Sequence, residues 1–333
     1  MAEPLLDVRG LRTHFFTRAG VVKAVDGATF SVDRGEVLGI VGESGSGKSI
    51  AGFSIMGLVD PPGRVVDGAM TFDGIDLSTL GQEEMRSLRG RRMAMVFQDP
   101  MMTLNPVLRI DTQMIEALTA HIRIGKAEAR ARCRDALGMV GIPAPEERLA
   151  AYPHQFSGGM RQRVAIAISL LHEPDLIIAD EPTTALDVTI QAQILYEVQN
   201  LVRTRDMAML WITHDLSVVA GLADRIAVMY AGRIVESGPT ADIIEQPLHP
   251  YTQGLIGSVP SRSRRGSKLR QIPGMAPSPL NLPEGCAFRP RCAYTTVRCG
   301  DTPGDRELQP GRWARCHHPL HLDVPGRPEL AKS

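Results

Sequence analysis

The sequence has no surplus of charge of either sign, which limits the partners that can be expected. Its 333 residues include 37 Lys and Arg against 37 Asp and Glu, so the formal net charge is zero. Proteins that bind nucleic acid usually carry a basic excess. We therefore expect no nucleic-acid partner, and any charge-driven contact must use a local patch.

Long apolar runs are also missing. No stretch approaches the roughly 18 consecutive apolar residues that a membrane-spanning helix needs, and Met1-Ala2-Glu3-Pro4 lacks the basic and apolar character of a signal segment. The chain is 43% hydrophobic, which is enough for a sizeable core. These features predict a globular, cytosolic protein of about two domains that needs a partner for any role at a membrane.

Cysteine is scarce, and its five residues are unevenly distributed. In a reducing compartment this number argues against a disulfide framework. Cys133 stands alone in a predicted helix, where we expect a small buried side chain. The other four follow residue 285 and form a separate signal.

What the sequence does contain is a phosphate-binding pattern at residues 42–49. It follows the apolar run 37–41 and precedes a segment with helical spacing, which predicts a strand, a loop and a helix. Residues without side chains let backbone N–H groups converge on the β- and γ-phosphates, Lys48 adds a charge, and the Ser49 hydroxyl can ligate Mg²⁺. The predicted binding residues are Gly42, Ser44, Gly45, Ser46, Gly47, Lys48 and Ser49.

Polar side chains follow three further predicted strands. Gln98 follows the predicted strand 93–97, and His214 follows the predicted strand 209–213. The predicted strand that starts at Leu176 ends with Asp180-Glu181. Ligands of open α/β sheets bind at the carboxyl ends of the strands. We expect Gln98 to reach a metal ion or a water, and the two carboxylates to supply a metal ligand and a catalytic base.

An aromatic side chain near the amino terminus could stack on a nucleotide base. Short strands are predicted at Leu5–Val8 and Ala28–Val32, with Phe15, Phe16 and residues 21–27 in the connection. Phe16 or Phe15 could stack on adenine, or both could pack in the core, and spacing alone does not choose.

Helical spacing dominates residues 99–160. Helices are predicted at 111–121 and at 126–140, the second ended by prolines, and another follows at 164–171. Ser157-Gly158-Gly159 offers the last helix an N-terminus that suits an anion, or simply a cap. The loop 99–107 carries exposed-looking apolar residues and is a candidate partner surface.

Six motifs, in this order, resemble those of ABC-type ATPases across about residues 5–257. They are the phosphate loop, Gln98, Ser157-Gly158-Gly159, Asp180-Glu181, Ala185-Leu186-Asp187 and His214. The resemblance implies an α/β fold with an ABC-type nucleotide-binding domain at 1–257, in which a RecA-like core carries an antiparallel β subdomain and a helical subdomain at about 99–160. It also implies a head-to-tail pair of domains with two ATP molecules at their interface.

The same resemblance implies a role for each motif residue. Lys48 would hold the β- and γ-phosphates, while Ser49 and Gln98 would coordinate Mg²⁺ with help from Asp180 through water. Glu181 would orient and deprotonate the attacking water.

Other implied roles involve the γ-phosphate and the second subunit. His214 would contact the γ-phosphate in the same chain. Ser157, Gly158 and Gly159 would meet the γ-phosphate bound to the partner subunit, and Asp187 would connect the two sites.

Three longer segments resemble the ATP-binding subunits of bacterial oligopeptide and dipeptide importers. They are 98–106, 152–160 and 249–252, and Met160 favours the D-type subunit. This resemblance implies an F-type ATPase partner, two membrane permease subunits and an external solute-binding protein. It places the chain peripherally on the cytoplasmic face of the inner membrane. Some relatives import nickel or glutathione, so the solute stays open.

A different functional class is a soluble ABC ATPase of translation or DNA repair. Those translation factors carry two such domains in one chain, and the repair ATPases insert long coiled coils, neither of which this sequence shows. A third interpretation makes the cysteine cluster the main function and ATP its regulator.

Residues 258–333 are predicted to form a small C-terminal extension. It starts with five basic side chains within 261–270 and a Pro-rich stretch at 273–283. These residues form either a solvated linker or a contact with anionic lipid or permease loops.

Four cysteines follow in this extension, Cys286, Cys292, Cys299 and Cys316. Four thiolates can hold zinc or an iron–sulfur cluster, and the spacing does not decide between them. The region from Leu282 onward resembles that of D-type relatives with a [4Fe–4S] cluster, which favours the cluster over Zn²⁺. Free thiols are the third alternative, because His317 and His318 could also be ligands.

Overall fold

The computed structural model describes residues 3–183, 188–259 and 271–322. The described residues belong to two compact units. The first unit draws on residues 1–5, 32–37 and 77–211, and the second draws on 6–31, 38–76 and 212–333. Each unit is therefore assembled from separate parts of the chain.

The described chain contains twelve strands and ten α-helices. The strands are β1 (Leu6–Thr17), β2 (Gly20–Val32), β3 (Val37–Val41), β4 (Gly63–Phe72), β5 (Ile75–Asp76), β6 (Met93–Val96), β7 (Leu176–Asp180), β8 (Ala208–Thr213), β9 (Arg225–Tyr230), β10 (Arg233–Pro239), β11 (Arg306–Gln309) and β12 (Arg312–Ala314). The helices are α1 (Lys48–Ile55), α2 (Gln82–Leu88), α3 (Ile110–Thr119), α4 (Lys126–Met139), α5 (Pro145–Arg148), α6 (Gly158–Leu170), α7 (Val188–Arg205), α8 (Leu216–Leu222), α9 (Thr240–Glu245) and α10 (Pro250–Gly257). Within the described ranges, no helix is both long and apolar enough to cross a membrane.

The second unit contains an antiparallel sheet in the order β2-β1-β4-β5. The prediction of two short strands near the amino terminus was wrong in length, because β1 continues to Thr17 and β2 starts at Gly20. Phe15 and Phe16 are therefore strand residues rather than part of a connection. Pairing with β4 explains the extension of β1, since Phe15 lies opposite Gly63 at the far end of the ladder.

The second unit also contains neighbouring strands in the order β11-β12-β10-β9-β3. Strand β3 runs parallel to β9, and the remaining pairs are antiparallel. All five residues of β3 are buried, as expected for a strand that is covered on both faces. This buried strand leads directly into residues 42–47.

In the first unit, β6 and β7 are parallel and β8 lies beside β7. The predicted helices at 111–121 and 126–140 are confirmed as α3 and α4, with ends that differ by one or two residues. The prediction that prolines end the second helix was wrong, because α4 ends at Met139 and Pro145 instead begins α5. A proline is favoured at a first helical position because its missing N–H has no partner to lose there.

Candidate functional site

The phosphate loop lies between β3 and α1 in the second unit. Gly47 is the N-cap of α1 and has a φ of 103°, a backbone conformation that favours glycine. A Cβ atom added to Gly42 would lie 2.1 Å from the Met229 carbonyl oxygen, and one added to Gly47 would lie 2.2 Å from that of Ala24. Side chains are therefore excluded at both ends of the loop, which leaves its backbone available to a ligand.

Two polar side chains of residues 42–49 are buried, those of Ser46 and Lys48. Lys48 is only 5% exposed, and its ammonium group donates to the carbonyl oxygens of Gly42 at 2.8 Å and Glu43 at 3.0 Å. Among the residues that the structure describes, the buried Ser46 hydroxyl finds no hydrogen-bond partner, although buried polar groups normally have one. A buried cation beside an unpaired hydroxyl and a helix N-terminus suits the phosphates of a nucleotide.

The two aromatic candidates for adenine stacking differ in exposure. Phe16 is 40% exposed, and the Arg64 guanidinium carbon lies 4.4 Å from its ring centroid. Phe15 is half-buried against Gly63, where an added Cβ would lie 2.6 Å from the Phe15 ring. Phe16 is therefore the more accessible ring, and its role in stacking stays a prediction.

The first unit brings Gln98 and Glu181 together. The Gln98 side-chain amide donates to a carboxylate oxygen of Glu181 at 3.2 Å. Glu181 has a φ of 45°, which is an unfavourable backbone conformation for a non-glycine residue and is often found at functional sites. Asp180, the last residue of β7, is buried. Amide and carboxylate oxygens are ligands that Mg²⁺ prefers, so the donor types present suit that ion.

Ser157 begins helix α6 in the first unit. Its hydroxyl accepts a hydrogen bond from the Met160 N–H at 3.3 Å and so caps the helix. This cap explains why α6 begins at Gly158, earlier than the predicted start at residue 164. Ser157 and Gly158 are exposed and Gly159 is half-buried.

His214 and Asp187 complete the predicted set. His214 follows β8 and is exposed, and the next residue, Asp215, caps α8 by accepting from the Ser217 N–H at 2.9 Å. Ala185, Leu186 and Asp187 lie outside the described residues.

Contacts to Glu43 from distant residues were not predicted from the sequence. The Glu43 N–H donates to the Tyr251 hydroxyl at 2.8 Å, and the Arg291 guanidinium binds the Glu43 carboxylate. The sequence did single out 249–252, but only as a subfamily marker. Nothing in its local pattern connects Arg291 with residue 43.

The four C-terminal cysteines line one small cavity of about 10 Å³, together with His317 and His318. Burial raises the pKa of Cys286, that of Cys292 to about 11 and that of Cys316 to about 12. In the part of the chain that the structure describes, no three His, Cys, Asp or Glu side chains are arranged to hold a metal ion. The donor types therefore suit a soft metal, but their arrangement does not yet form a site.

The remaining cysteine behaves as predicted. Cys133 is buried in α4, and this burial raises the pKa of its thiol to about 11. It is a small core side chain rather than a reactive thiolate.

Comparison with known families identifies two regions of the chain. Residues 25–184 match the family described as ABC transporter. Residues 235–299 match the family described as oligopeptide/dipeptide transporter, C-terminal region.

Solved structures share the fold. The dimeric structure of MJ0796, a bacterial ABC transporter cassette, is 27% identical with a TM-score of 0.65 and covers 71% of this chain and 98% of that chain. CbiO1 of Clostridium perfringens, part of the ABC transporter complex CbiONQ, is 26% identical with a TM-score of 0.61 and covers 73% of this chain and 91% of that chain. The α/β fold expected from the motifs is therefore confirmed as that of the ABC cassette.

Relatives of known function align over nearly the whole chain. The dipeptide transport ATP-binding protein DppD of Escherichia coli is 48% identical over 98% of this chain and 99% of its own length. The oligopeptide transport ATP-binding protein OppD of the same organism is 47% identical over 96% of this chain and 94% of its own length. DppD of Bacillus subtilis is 51% identical over 89% of this chain and 89% of its own length. With this similarity and the phosphate loop described above, the chain belongs to the ATP-binding subunits of ABC transporters, in the oligopeptide and dipeptide branch.

Proposed function

We propose that this chain is the ATP-hydrolysing, energy-coupling subunit of a peptide importer. The observation that carries the proposal is the phosphate loop, in which Gly42 and Gly47 exclude side chains around the buried Lys48. It occurs in a chain that is 47–51% identical to transport ATP-binding proteins for dipeptides and oligopeptides. The soluble ATPases of translation and DNA repair, and importers of nickel or glutathione, are not favoured by these relatives.

In the proposed mechanism, each chain binds and orients ATP. The loop amides and Lys48 neutralise the β- and γ-phosphates, and Phe16 stacks on adenine. Mg²⁺, when bound, would supply further charge neutralisation, and Ser49, Gln98 and Asp180 are the residues proposed to hold it. Such positioning and charge neutralisation supply most of the rate in phosphoryl transfer.

Glu181 acts as the base for the attacking water, and His214 contacts the γ-phosphate. The hydrogen bond from Gln98 supports this role, because it holds the Glu181 carboxylate next to a proposed metal ligand.

We propose that a second ATPase subunit of the F type completes each site. Ser157, Gly158 and Gly159 then meet the γ-phosphate bound to the partner, and Asp187 connects the two sites. The exposure of Ser157 and Gly158 at the start of α6 supports this arrangement, as does the dimeric form of the related MJ0796 cassette.

The loop 99–107 is the proposed contact to two permease subunits. Met101, Met102 and Val107 are exposed there, although large apolar side chains are usually buried. Contact with the permease subunits would place this chain peripherally on the cytoplasmic face of the inner membrane. A solute-binding protein outside the membrane would complete the importer.

A C-terminal extension from residue 258 is the proposed location of a metal centre. The four cysteines around one cavity support it, and the resemblance of the region from Leu282 onward to D-type relatives favours [4Fe–4S] over Zn²⁺. A cavity of about 10 Å³ holds roughly one water molecule, so the surrounding side chains must move apart to hold a cluster. The family match to a C-terminal region begins earlier than this extension, at residue 235.

One experiment tests the nucleotide site directly. MgATP binding by the full chain should be lost in Lys48→Ala, because the charge over the phosphates is removed. Lys126→Ala, at the start of α4, is a control that should bind normally. Unchanged binding by Lys48→Ala would refute the proposed site, and purification of the tagged chain without permease subunits would refute the transport role.

A further inference from the structure

The C-terminal segment, residues 271–322, contacts the phosphate loop through one arginine. Arg291 Nη1 donates to Glu43 Oε2 at 2.7 Å, and Nη2 donates to Glu43 Oε1 at 2.9 Å. The Arg291 side chain is 5% exposed and that of Glu43 is 29% exposed. Such two-bond pairs between arginine and a carboxylate are strong and fix geometry as well as distance.

Arg291 is itself held in place by other groups. Its Nε donates to the Pro273 carbonyl oxygen at 2.9 Å, and Nη1 also approaches the Tyr230 hydroxyl at 3.4 Å. The hydrogen bonds to Glu43 raise the pKa of Arg291, so its charge persists at every physiological pH. The guanidinium group is therefore a rigid, permanently charged anchor.

Glu43 is the loop residue at which several contacts meet. Its carboxylate binds Arg291, its N–H donates to the Tyr251 hydroxyl, and its carbonyl oxygen accepts from Lys48 and from the Ser46 N–H at 3.2 Å. These contacts connect Glu43 to the Lys48 ammonium group and to the backbone of Ser46, both of which belong to the proposed phosphate site.

The C-terminal segment also lines the same loop directly. Ala276, Pro277 and Pro279 border a small cleft with residues 43–46, and the Pro279 carbonyl oxygen accepts from the Lys23 N–H at 3.4 Å. The loop is thus supported by residues far beyond the strand and helix that carry it.

We propose that Arg291 is a positioning residue for nucleotide binding, which fixes the phosphate loop through Glu43 and makes MgATP affinity depend on the C-terminal segment. The inference rests on the proposed nucleotide site at residues 42–49. Removal of one partner from this partly buried ion pair leaves the Glu43 carboxylate without its compensating charge, so the loop relaxes when Arg291 is replaced.

The test compares MgATP dissociation constants of full-length variants by calorimetry, well below their unfolding temperatures. Arg291→Gln should raise the dissociation constant by about 10-fold, since only part of the cost of an unpaired charge falls on binding. Arg291→Lys keeps the charge but not the two-bond geometry, and it should lie between wild type and Arg291→Gln.

A double-mutant cycle checks that the effect passes through Glu43. If Arg291 acts through that carboxylate, the effects of Glu43→Gln and Arg291→Gln on MgATP affinity should not add. The double variant should then have a dissociation constant close to that of the weaker-binding single variant, rather than one raised by the product of the two single effects. Arg315→Gln is the matched control, because Arg315 makes a similar two-bond pair with Asp305, at 2.6 and 2.9 Å, elsewhere in the same segment.

Two outcomes overturn the inference. One is a MgATP dissociation constant within twofold of wild type for both Arg291→Gln and Arg291→Lys. If their unfolding temperatures fall at the same time, Arg291 has a purely structural role. The other is an equal loss of affinity in Arg315→Gln. Retained binding in Lys48→Ala is a separate result, which removes the nucleotide site itself.

Discussion

Gln98 and Glu181, which are 83 residues apart in the chain, are joined by a hydrogen bond of 3.2 Å between amide nitrogen and carboxylate oxygen. The proposed metal ligand thereby touches the proposed base. A change at either residue should therefore affect both metal use and water activation.

Replacement of Glu181 by Gln should stop hydrolysis without loss of ATP binding. The variant keeps the shape of the side chain but cannot take a proton, and loss of a general base typically costs 10²–10⁴-fold in rate. Single-turnover assays with the complete transporter should show retained, uncleaved ATP. Glu147→Gln, at an exposed residue of α5, should behave like wild type. Normal turnover by Glu181→Gln would contradict the assignment.

Replacement of Gln98 by Glu should lower kcat more than replacement by Ala. Glu puts a second negative charge where the Gln98 amide donates to the Glu181 carboxylate, and like charges at this distance repel, so the Glu181 carboxylate is pushed away from its present position. Gln98→Ala removes the hydrogen bond without adding a charge. Steady-state ATPase assays of the complete transporter measure both variants. A kcat for Gln98→Glu equal to that of wild type would show that the two side chains are apart during turnover.

Phe16→Ala should weaken binding of adenine nucleotides about 10-fold, because stacking on a base is worth roughly 1–3 kcal/mol. Phe15→Ala is the comparison, and it should lower the unfolding temperature more than the affinity, since Phe15 packs against Gly63. Equilibrium titration with MgATP distinguishes them. The reverse pattern would assign the stacking role to Phe15.

If the proposed [4Fe–4S] cluster is present, anaerobic purification should yield a chain with about four iron and four sulfide. Cys292→Ser should lower the iron content, whereas Cys133→Ser should not, because Cys133 is buried alone in α4. One zinc ion per chain would instead support the Zn²⁺ alternative. A chain with neither metal would leave four free thiols and reject the centre.

Acid should remove a stabilising interaction at Asp26. Burial opposes the ionisation of Asp26, but the hydrogen bond from Arg233 at 2.7 Å and nearby positive charges outweigh it, so its pKa is lowered. The unfolded chain therefore binds the proton first as pH falls. The contribution of Asp26 to stability is complete above about pH 4 and is lost as pH falls through the lowered pKa.

Urea unfolding measures this contribution. The difference in unfolding free energy between wild type and Asp26→Asn should be constant near neutral pH and should shrink below about pH 4. Asp135→Asn, at an exposed ion pair, should show no such trend. A difference that is independent of pH down to pH 2 would contradict the lowered pKa.

Much of the site could be predicted because its parts are local in sequence. The phosphate loop can be recognised from eight consecutive residues. Gln98 and Glu181 each follow an apolar strand, and ligands of α/β sheets bind at the carboxyl ends of such strands. Family resemblance added the roles of Ser157 and His214. Each of these signals is contained in a short segment.

Other features could not be predicted because they depend on pairing between distant segments. Arg291 and Glu43 are separated by 248 residues, and neither has a local pattern that marks a partner. The full length of β1 is fixed by its ladder with β4 rather than by its own apolar residues, which explains why only its first part was predicted.

The pairing of β12 with β10 covers a sheet edge that would otherwise attract other chains. Ile234–Gly238 are buried in β10, and Glu236 and Ser237 lie opposite Ala314 and Trp313. A protein shortened before residue 306 would expose these backbone groups as an apolar template for intermolecular pairing. A chain that ends before residue 306 should therefore aggregate rather than fold into a smaller working enzyme.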